Sequence, residues 1–91
     1  MAARKVYVKE TEVNLTPKEF ELLRYFIDNK GLALSRDKIL NAVWNYDYFG
    51  DLRTVDTHVK QLRAKLGKYS YYLSTVRSVG YRLDIENEID N

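Results

Sequence analysis

The 91-residue sequence predicts an α+β domain in which short N-terminal strands precede three helices and a C-terminal β-hairpin. Two capped stretches with apolar residues at helical spacing predict the first two helices, and the stretch Arg53–Gly67 predicts the third. Two β-rich segments around a turn near residue 80 predict the hairpin. We expect one domain over residues 1–91, with residues 1–4 and 86–91 frayed or disordered.

The first helix carries the clearest start signal in the chain. Thr16 is a candidate N-cap, Pro17 suits the first helical position, and Glu19 completes a capping box. Gly31 is expected to end this helix in a left-handed conformation. Its buried face is predicted from helical spacing to be Phe20, Leu23, Phe26 and Ile27.

Shorter signals flank this helix. Weak alternation over residues 5–8 and 12–15 predicts two short strands or one ragged hairpin before it. After it, residues 32–34 predict a single strand rung, and Ser35 is a candidate cap for a second helix that ends near Trp44. The inner face of the second helix is predicted to be Ile39, Leu40 and Val43.

The third helix has two chemically distinct faces. One is an apolar stripe of Val55, Val59, Leu62 and Leu66. The other consists of Thr54, Thr57, Lys60, Gln61, Ala64 and Lys65. Asp51 is a plausible N-cap, and Gly67 closes the helix. Such a helix can occupy a DNA major groove, although on this stretch alone a solvated surface helix explains the pattern equally well.

Charge is unevenly distributed along the chain. The net charge is only +2, but the last eight residues hold four acids and no base, and the chain without them carries +6. Residues 53–68 hold five bases and one acid. This local excess of positive charge favours a polyanionic partner.

Composition argues against several other functions. The chain has no cysteine and a single histidine, His58, so disulfides, thiolate metal sites and a credible histidine metal site are not expected. Neither a nucleophile–base arrangement nor a glycine-rich phosphate loop is visible, so we predict no enzyme activity and no cofactor. No apolar run approaches the length of a membrane helix, and we expect a cytoplasmic protein.

The end of the chain completes the predicted architecture. Residues 71–76 and 81–85 are predicted strands around a turn at 77–80, with Gly80 as the permissive residue. Three helices followed by a two-stranded wing form a winged helix-turn-helix. In a helix-turn-helix the later helix enters the major groove and the earlier one crosses the DNA backbone.

Four segments stand out along the chain: LTPKEFELL, the helix from Ser35 to Trp44, RTVDTHVKQLRAKLG and TVRSVGYRL. In this order and at these separations they resemble the C-terminal effector domain of OmpR/PhoB-type response regulators, and the resemblance covers Val6 to Leu83. It implies a bacterial transcription factor whose effector domains bind direct repeats of double-stranded DNA. The N-terminal receiver domain of that family is absent from this chain, and we expect the isolated domain to be a monomer.

The resemblance also implies roles for individual residues. Groove-facing positions are matched by Thr57, His58 and Gln61. Positions near phosphates or neighbouring bases are matched by Arg53, Thr54, Lys60 and Arg63, and Lys65 is grouped with them as a DNA-binding cation. The wing supplies Thr75 and Tyr81 as backbone contacts and Arg77 for the minor groove. Structural alternatives are open for several of these residues. Arg63 could pair with Asp56, His58 could pack at the stripe edge, and Tyr81 could belong to the core. Lys60 and Lys65 could be ordinary solvated lysines, and Trp44 at the end of the second helix could be partly core.

The aromatic, acidic segment between the second and third helices matches the loop that can contact RNA polymerase in this family. Its candidate contacts are Trp44, Tyr46, Asp47, Tyr48 and Asp51. The same loop, residues 45–52, supports an alternative in which the chain is a winged-helix module for protein–protein interaction.

Two positions depart from the family pattern. Gln61 stands where several members carry arginine. Glutamine at this position favours adenine, whereas arginine would favour guanine. Ser78 stands where the family usually has glycine, and serine would cost about 1 kcal/mol if that position needs a positive φ.

Overall fold

The computed structural model describes residues 4–8, 11–44 and 51–84. The predicted frayed ends lie outside these ranges, apart from Arg4, which begins the first strand. The elements in chain order are β1 (Arg4–Val8), β2 (Thr11–Leu15), α1 (Pro17–Asp28), β3 (Leu34–Ser35), α2 (Arg36–Trp44), α3 (Arg53–Leu66), a 3₁₀ helix (Gly67–Tyr72), β4 (Leu73–Val76) and β5 (Gly80–Leu83). The predicted α+β order of winged helix-turn-helix elements is confirmed.

The start and end of α1 follow the sequence signals. The Glu19 backbone N–H donates to Thr16 Oγ1 at 3.2 Å, and the Thr16 N–H donates back to Glu19 Oε1 at 2.9 Å. This reciprocal capping box satisfies two backbone donors that the helix itself cannot use. Gly31 follows the helix with φ +84°, in the left-handed region where a side chain is strained.

The buried face of α1 differs from the predicted one. Leu22 is fully buried together with Leu23 and Phe26, whereas Ile27 is 43% exposed. The face is therefore centred on residues at positions 19, 22, 23 and 26, one step away from the stripe that included Ile27. Phe20, the other predicted member, is partly buried at the edge of the core.

The helix-turn-helix pair is built as predicted. Ser35 Oγ accepts from the Lys38 backbone N–H at 3.0 Å, which caps α2. The three predicted inner residues of α2 are buried: Ile39, Leu40 and Val43. None of the described helices is both long and apolar enough to cross a membrane.

The strands form two separate antiparallel sheets. β1 and β2 pair as a hairpin, with Val6 opposite Val13. β3, β5 and β4 form a three-stranded sheet in that order, so the short rung before α2 becomes the third strand beside the wing. The predicted strand from residue 71 begins only at Leu73, because residues 67–72 form the 3₁₀ helix.

Gly80 has a different role from the predicted one. Its φ is not positive, and a Cβ there would lie 2.1 Å from the Leu34 carbonyl oxygen. The glycine therefore permits close approach of β5 to β3. The left-handed residue of the turn is Ser78, with φ +68°, so the position that usually carries glycine does need a positive φ.

One core joins the helices to the wing strands. Its most completely buried members come from β2, α1, α2, α3 and β4: Leu15, Leu22, Phe26, Ile39, Val55, Val59, Leu62 and Leu73. Burying each such side chain contributes about 1.5–3 kcal/mol to folding. Because α3 supplies three of the eight, its orientation is fixed by the core and its opposite face is left to solvent.

Candidate nucleic-acid interface

The apolar and polar faces of α3 are separated as the sequence predicted. All four stripe residues are buried: Val55, Val59, Leu62 and Leu66. The residues at the centre of the opposite face are exposed: Arg53, Thr57, Lys60, Gln61 and Ala64. With 3.6 residues per turn, these five fall on one side of the helix. The reading face, as we call this set, carries two cations, a hydroxyl, an amide and a methyl group.

The start of α3 is organised by Asp51. Its Oδ1 accepts from the Arg53 backbone N–H at 2.6 Å, and its Oδ2 lies 3.2 Å from the Arg53 guanidinium. The hydrogen bond from the Arg53 backbone, followed by that from its side chain, lowers the pKa of Asp51. Leu52, the residue just before the assigned helix, has helical dihedral angles (φ −62°, ψ −17°) and makes no side-chain cap bond. Asp51 therefore provides the side-chain cap of α3, as the sequence predicted. Arg53 keeps 86% of its side chain exposed.

His58 and Thr54 lie on one flank of α3 and not at the centre of the reading face. His58 Nδ1 lies 3.0 Å from the Thr54 carbonyl oxygen, and its ring meets Trp44 edge-on with centroids 4.9 Å apart. Lys18 Nζ lies 5.5 Å from the Trp44 ring centroid and donates to the Val43 carbonyl at 3.0 Å. This is the stripe-edge packing considered as the alternative for His58. Within the described ranges, no group of three or more His, Asp or Glu residues could hold a metal ion.

Lys65 points toward α1. Its Nζ lies 2.6 Å from Glu19 Oε1, and the Glu19 side chain is only 3% exposed. Burial alone would raise the pKa of Glu19, but hydrogen bonds from Lys65 and Thr16, with the charge of Lys65, lower it overall. Lys65, which the sequence predicted as a DNA-binding cation, therefore forms an ion pair with Glu19 within the domain.

The opposite flank of α3 faces the wing. Arg63 Nε donates to the Leu73 carbonyl at 2.8 Å, and its Nη2 donates to Thr75 Oγ1 at 2.9 Å. Its guanidinium carbon lies 5.4 Å from the Tyr81 ring centroid. Arg63 therefore does not pair with Asp56, the alternative that the sequence left open. It instead bonds to Leu73 and Thr75 of β4 and lies over the Tyr81 ring of β5.

Asp56 and Arg36 were not among the predicted site residues. The Tyr81 hydroxyl donates to Asp56 Oδ1, and Arg36 Nη1 donates to Asp56 Oδ2 at 3.0 Å. Burial, and then the hydrogen bond to Asp56, raises the pKa of Tyr81 to about 12. One sequence signal points to Asp56, because it is the single acid in α3. Its partners Arg36 and Tyr81 lie 20 and 25 residues away, so helical periodicity does not identify them.

The wing turn places Arg77 in solvent. Residues 77–79 form the turn between β4 and β5, and Arg77, Ser78 and Val79 are all exposed. The Val79 N–H donates to the Val76 carbonyl at 3.0 Å, which closes the turn. Arg77 is therefore an exposed cation in the turn of the hairpin, which lies where the sequence predicted a turn.

Two of the predicted loop contacts flank the segment between α2 and α3. Trp44 ends α2 and is partly buried against the core, and Asp51 is exposed just before α3. With Arg53, Thr54, Thr57 and His58 they line an open cleft of about 400 Å³. Tyr46, Asp47 and Tyr48 lie outside the described residues.

Sequence comparisons place the chain among transcriptional regulators. The family model described as "Transcriptional regulatory protein, C terminal" matches residues 10–83. The chain is 51% identical over 81 residues, 86% of its length, to the alkaline phosphatase synthesis transcriptional regulatory protein PhoP of Bacillus subtilis strain 168. It is 45% identical over 89 residues, 93% of its length, to the transcriptional regulatory protein SrrA of Staphylococcus aureus strain NCTC 8325 / PS 47. These matches span 34% and 37% of the two relatives.

Solved structures share the fold. The DNA-binding domain of Bacillus subtilis CssR is 44% identical with a TM-score of 0.77, over 88% of this chain and 90% of that one. The DNA-binding domain of the response regulator AdeR, solved with an intercistronic region, is 34% identical with a TM-score of 0.77, over 90% and 86%. The Klebsiella pneumoniae RstA domain, solved with the RstA box, is 30% identical with a TM-score of 0.76, over 89% and 83%. On this evidence the chain belongs to the OmpR/PhoB-type response regulators, as a C-terminal DNA-binding effector domain.

Proposed function

We propose that this domain binds double-stranded DNA in a sequence-specific manner and controls transcription. In this proposal α3 enters the major groove and the wing lies at the adjacent minor groove. The observation that carries it is the reading face of α3, which exposes only cationic, hydroxyl, amide and methyl groups. A major groove admits one α-helix, and these are the groups that bond phosphates and base edges there.

The proposed DNA contacts fall into groups according to their exposure and their contacts within the fold. Arg53, Thr57, Lys60 and Gln61 lie on the reading face, and Arg77 is exposed on the wing, so these five are the primary candidates. Arg53 and Lys60 suit phosphates, whereas Gln61 suits the paired donor and acceptor of adenine. Thr54 and His58 are candidates at the flank. A second group already has partners within the fold and is supported less: Arg63, Lys65, Thr75 and Tyr81.

The complexes of AdeR and RstA with DNA support carrying DNA binding over to this chain. From the family resemblance we also propose that the DNA sites are arranged as direct repeats. The isolated 91-residue chain is proposed to be a monomer in the absence of DNA. Sedimentation of the free chain tests the latter, because a stable dimer would contradict it. Control by a phosphorylated receiver domain is proposed for a longer protein carrying this domain.

We also propose that the segment between α2 and α3 contacts RNA polymerase. Its two described ends, Trp44 and Asp51, lie beside the N-terminal half of α3. A protein bound there would sit next to DNA held by the reading face. A pull-down with purified polymerase, using Asp51→Ala as the altered chain, measures whether this edge is a docking surface.

Salt dependence of binding tests the main proposal. A duplex is selected from a random pool, and its affinity for the chain is measured by fluorescence anisotropy from about 50 to 200 mM salt. Counterion release predicts that log K falls linearly with log salt, with a slope of about −0.9 for each phosphate neutralised. A flat profile, or equal affinity for selected and random duplexes, would reject sequence-specific DNA binding. Capture of a protein without any DNA shift would instead favour the interaction module.

A further inference from the structure

One carboxylate joins three elements of the domain. Asp56 of α3 accepts the Tyr81 hydroxyl of β5 on one oxygen and Arg36 of α2 on the other. The Tyr81 residue is 8% exposed, so most of its ring lies in the core. The junction therefore ties the inner wing strand to both helices of the helix-turn-helix.

A second clasp lies on the same flank of α3. Arg63 follows Asp56 by seven residues, or about two helical turns, and donates to Leu73 and Thr75 of β4. Its guanidinium also lies over the Tyr81 ring, at 5.4 Å from the centroid. Asp56 thus holds β5 while Arg63 holds β4, and both strands of the wing are attached to the recognition helix.

Beyond these clasps the wing turn stands away from α3. An open cleft of about 350 Å³ separates Arg36 and Asp56 from the turn residues Ser78 and Val79. The turn bearing Arg77 is exposed, and the attached residues Thr75 and Tyr81 pair with each other one step before the pair that closes the turn, Val76 and Gly80. These attachments therefore set the direction in which the turn points, and a small rotation of the strands about them displaces Arg77.

We propose that Asp56, Tyr81 and Arg63 are positioning residues that fix the angle of the wing against α3, so that Arg77 meets DNA while the reading face is engaged. The inference rests on the proposed DNA binding. Arg36 has an accompanying role, because it offsets the one acidic side chain of α3, which would otherwise repel phosphates. Pre-organisation of this kind lowers the cost of ordering the wing on binding.

The Tyr81 hydroxyl is suited to a permanent attachment. Its pKa is raised to about 12, first by burial and then by the bond to Asp56, so it stays protonated under the conditions of DNA-binding measurements. It is a donor to a carboxylate, and such charge-assisted bonds are stronger than neutral ones.

A double-mutant cycle tests the proposal. Tyr81→Phe keeps the ring and removes the donor, and Arg77→Ala removes the side chain that the wing is thought to deliver. We expect Tyr81→Phe to weaken binding of the selected duplex about tenfold when Arg77 is present and less than about twofold when it is absent. Tyr69→Phe, at a half-buried tyrosine stacked on Tyr72, is the matched control and should leave affinity unchanged. Circular dichroism fixes a temperature at which every variant is folded.

The outcomes are separable. An equal loss from Tyr81→Phe with and without Arg77 would overturn the positioning role. A second cycle uses Asp56→Ala: if Tyr81→Phe still costs its full effect in that background, the hydroxyl contacts DNA directly and the proposal fails. If the unaltered chain binds no duplex selectively, the proposed DNA-binding function itself fails. That result differs from selective binding in which the effects of Tyr81→Phe and Arg77→Ala simply add, which would overturn only the positioning role.

Discussion

Lys65 Nζ lies 2.6 Å from the Glu19 carboxylate, and that carboxylate also closes the capping box of α1. The last turn of α3 is thereby bonded to the first turn of α1. A charged group as deeply buried as Glu19 is stable only when its oxygens are paired, and Lys65 supplies the opposite charge. A cation that the sequence assigned to DNA thus has a partner inside the fold.

The first prediction compares two lysines of α3. Lys65→Ala should lower the free energy of unfolding by about 1–3 kcal/mol, because it leaves a buried carboxylate without its cation. Lys60→Ala, on the reading face, should leave stability within about 0.5 kcal/mol and make the salt slope of DNA binding shallower by about one. Urea unfolding and anisotropy measure the two effects. Equal salt slopes for both variants, with no stability loss in Lys65→Ala, would contradict the assignment.

The second prediction concerns pH. The pKa of Glu19 is lowered from its ordinary value of 4.5 in the folded state, so its contribution to stability is present above that value and is lost as pH falls through the folded pKa. Glu19→Gln can still accept the Thr16 N–H but carries no charge. We therefore expect the stability advantage of the unaltered chain over Glu19→Gln to shrink as pH falls below 4.5. An advantage that is constant from neutral to acid pH would show that the charge of Glu19 contributes nothing.

The third prediction concerns base preference. Gln61→Ala should weaken binding to the selected duplex by about 1–3 kcal/mol and relax discrimination at one base pair. The reason is loss of the proposed bidentate contact, for which the amide of Gln61 is exposed on the reading face. To measure base discrimination, each position of the selected duplex is replaced in turn by each of the four base pairs, and the affinity of both chains for every duplex is determined. A uniform loss across all duplexes would instead assign Gln61 to the backbone.

The fourth prediction concerns the wing turn. Ser78 has φ +68°, so Ser78→Gly should raise the free energy of unfolding by up to about 1 kcal/mol by removing side-chain strain. Val79→Gly is the control: Val79 is exposed and does not have a positive φ, so glycine there only adds freedom to the unfolded chain. It should destabilise the domain. If both glycines shift the thermal midpoint in the same direction, strain at Ser78 is not the cause.

Local signals predicted the helices well because their causes are local. The caps at Thr16 and Ser35 bond to residues three positions away, and Gly31 and Gly67 adopt positive φ where the helices end. The apolar stripe of α3 needed only helical periodicity. These features involve neighbours in sequence, so the order of residues determines them directly.

The misplaced features depend on distant partners. The sequence predicts Gly80 as the permissive residue of the turn, but β5 needs this glycine to approach the Leu34 carbonyl of another strand. Tyr71 and Tyr72 have strand propensity, yet they continue a 3₁₀ helix out of α3, because β-propensity depends on available pairing. The ion pair of Lys65 with Glu19 spans 46 residues, and no periodicity reveals it.

The residues of α3 that hold the core and those of its reading face are separate sets. A substitution at Thr57, Lys60 or Gln61 therefore changes the chemistry presented to solvent without opening a cavity. Such a helix can acquire a new duplex preference by single substitutions while its folding free energy is nearly constant. Asp56 and Arg63 lack this freedom, since each also holds a wing strand. If the reading face contacts DNA as proposed, a change of duplex preference at these positions leaves the buried stripe of the helix intact.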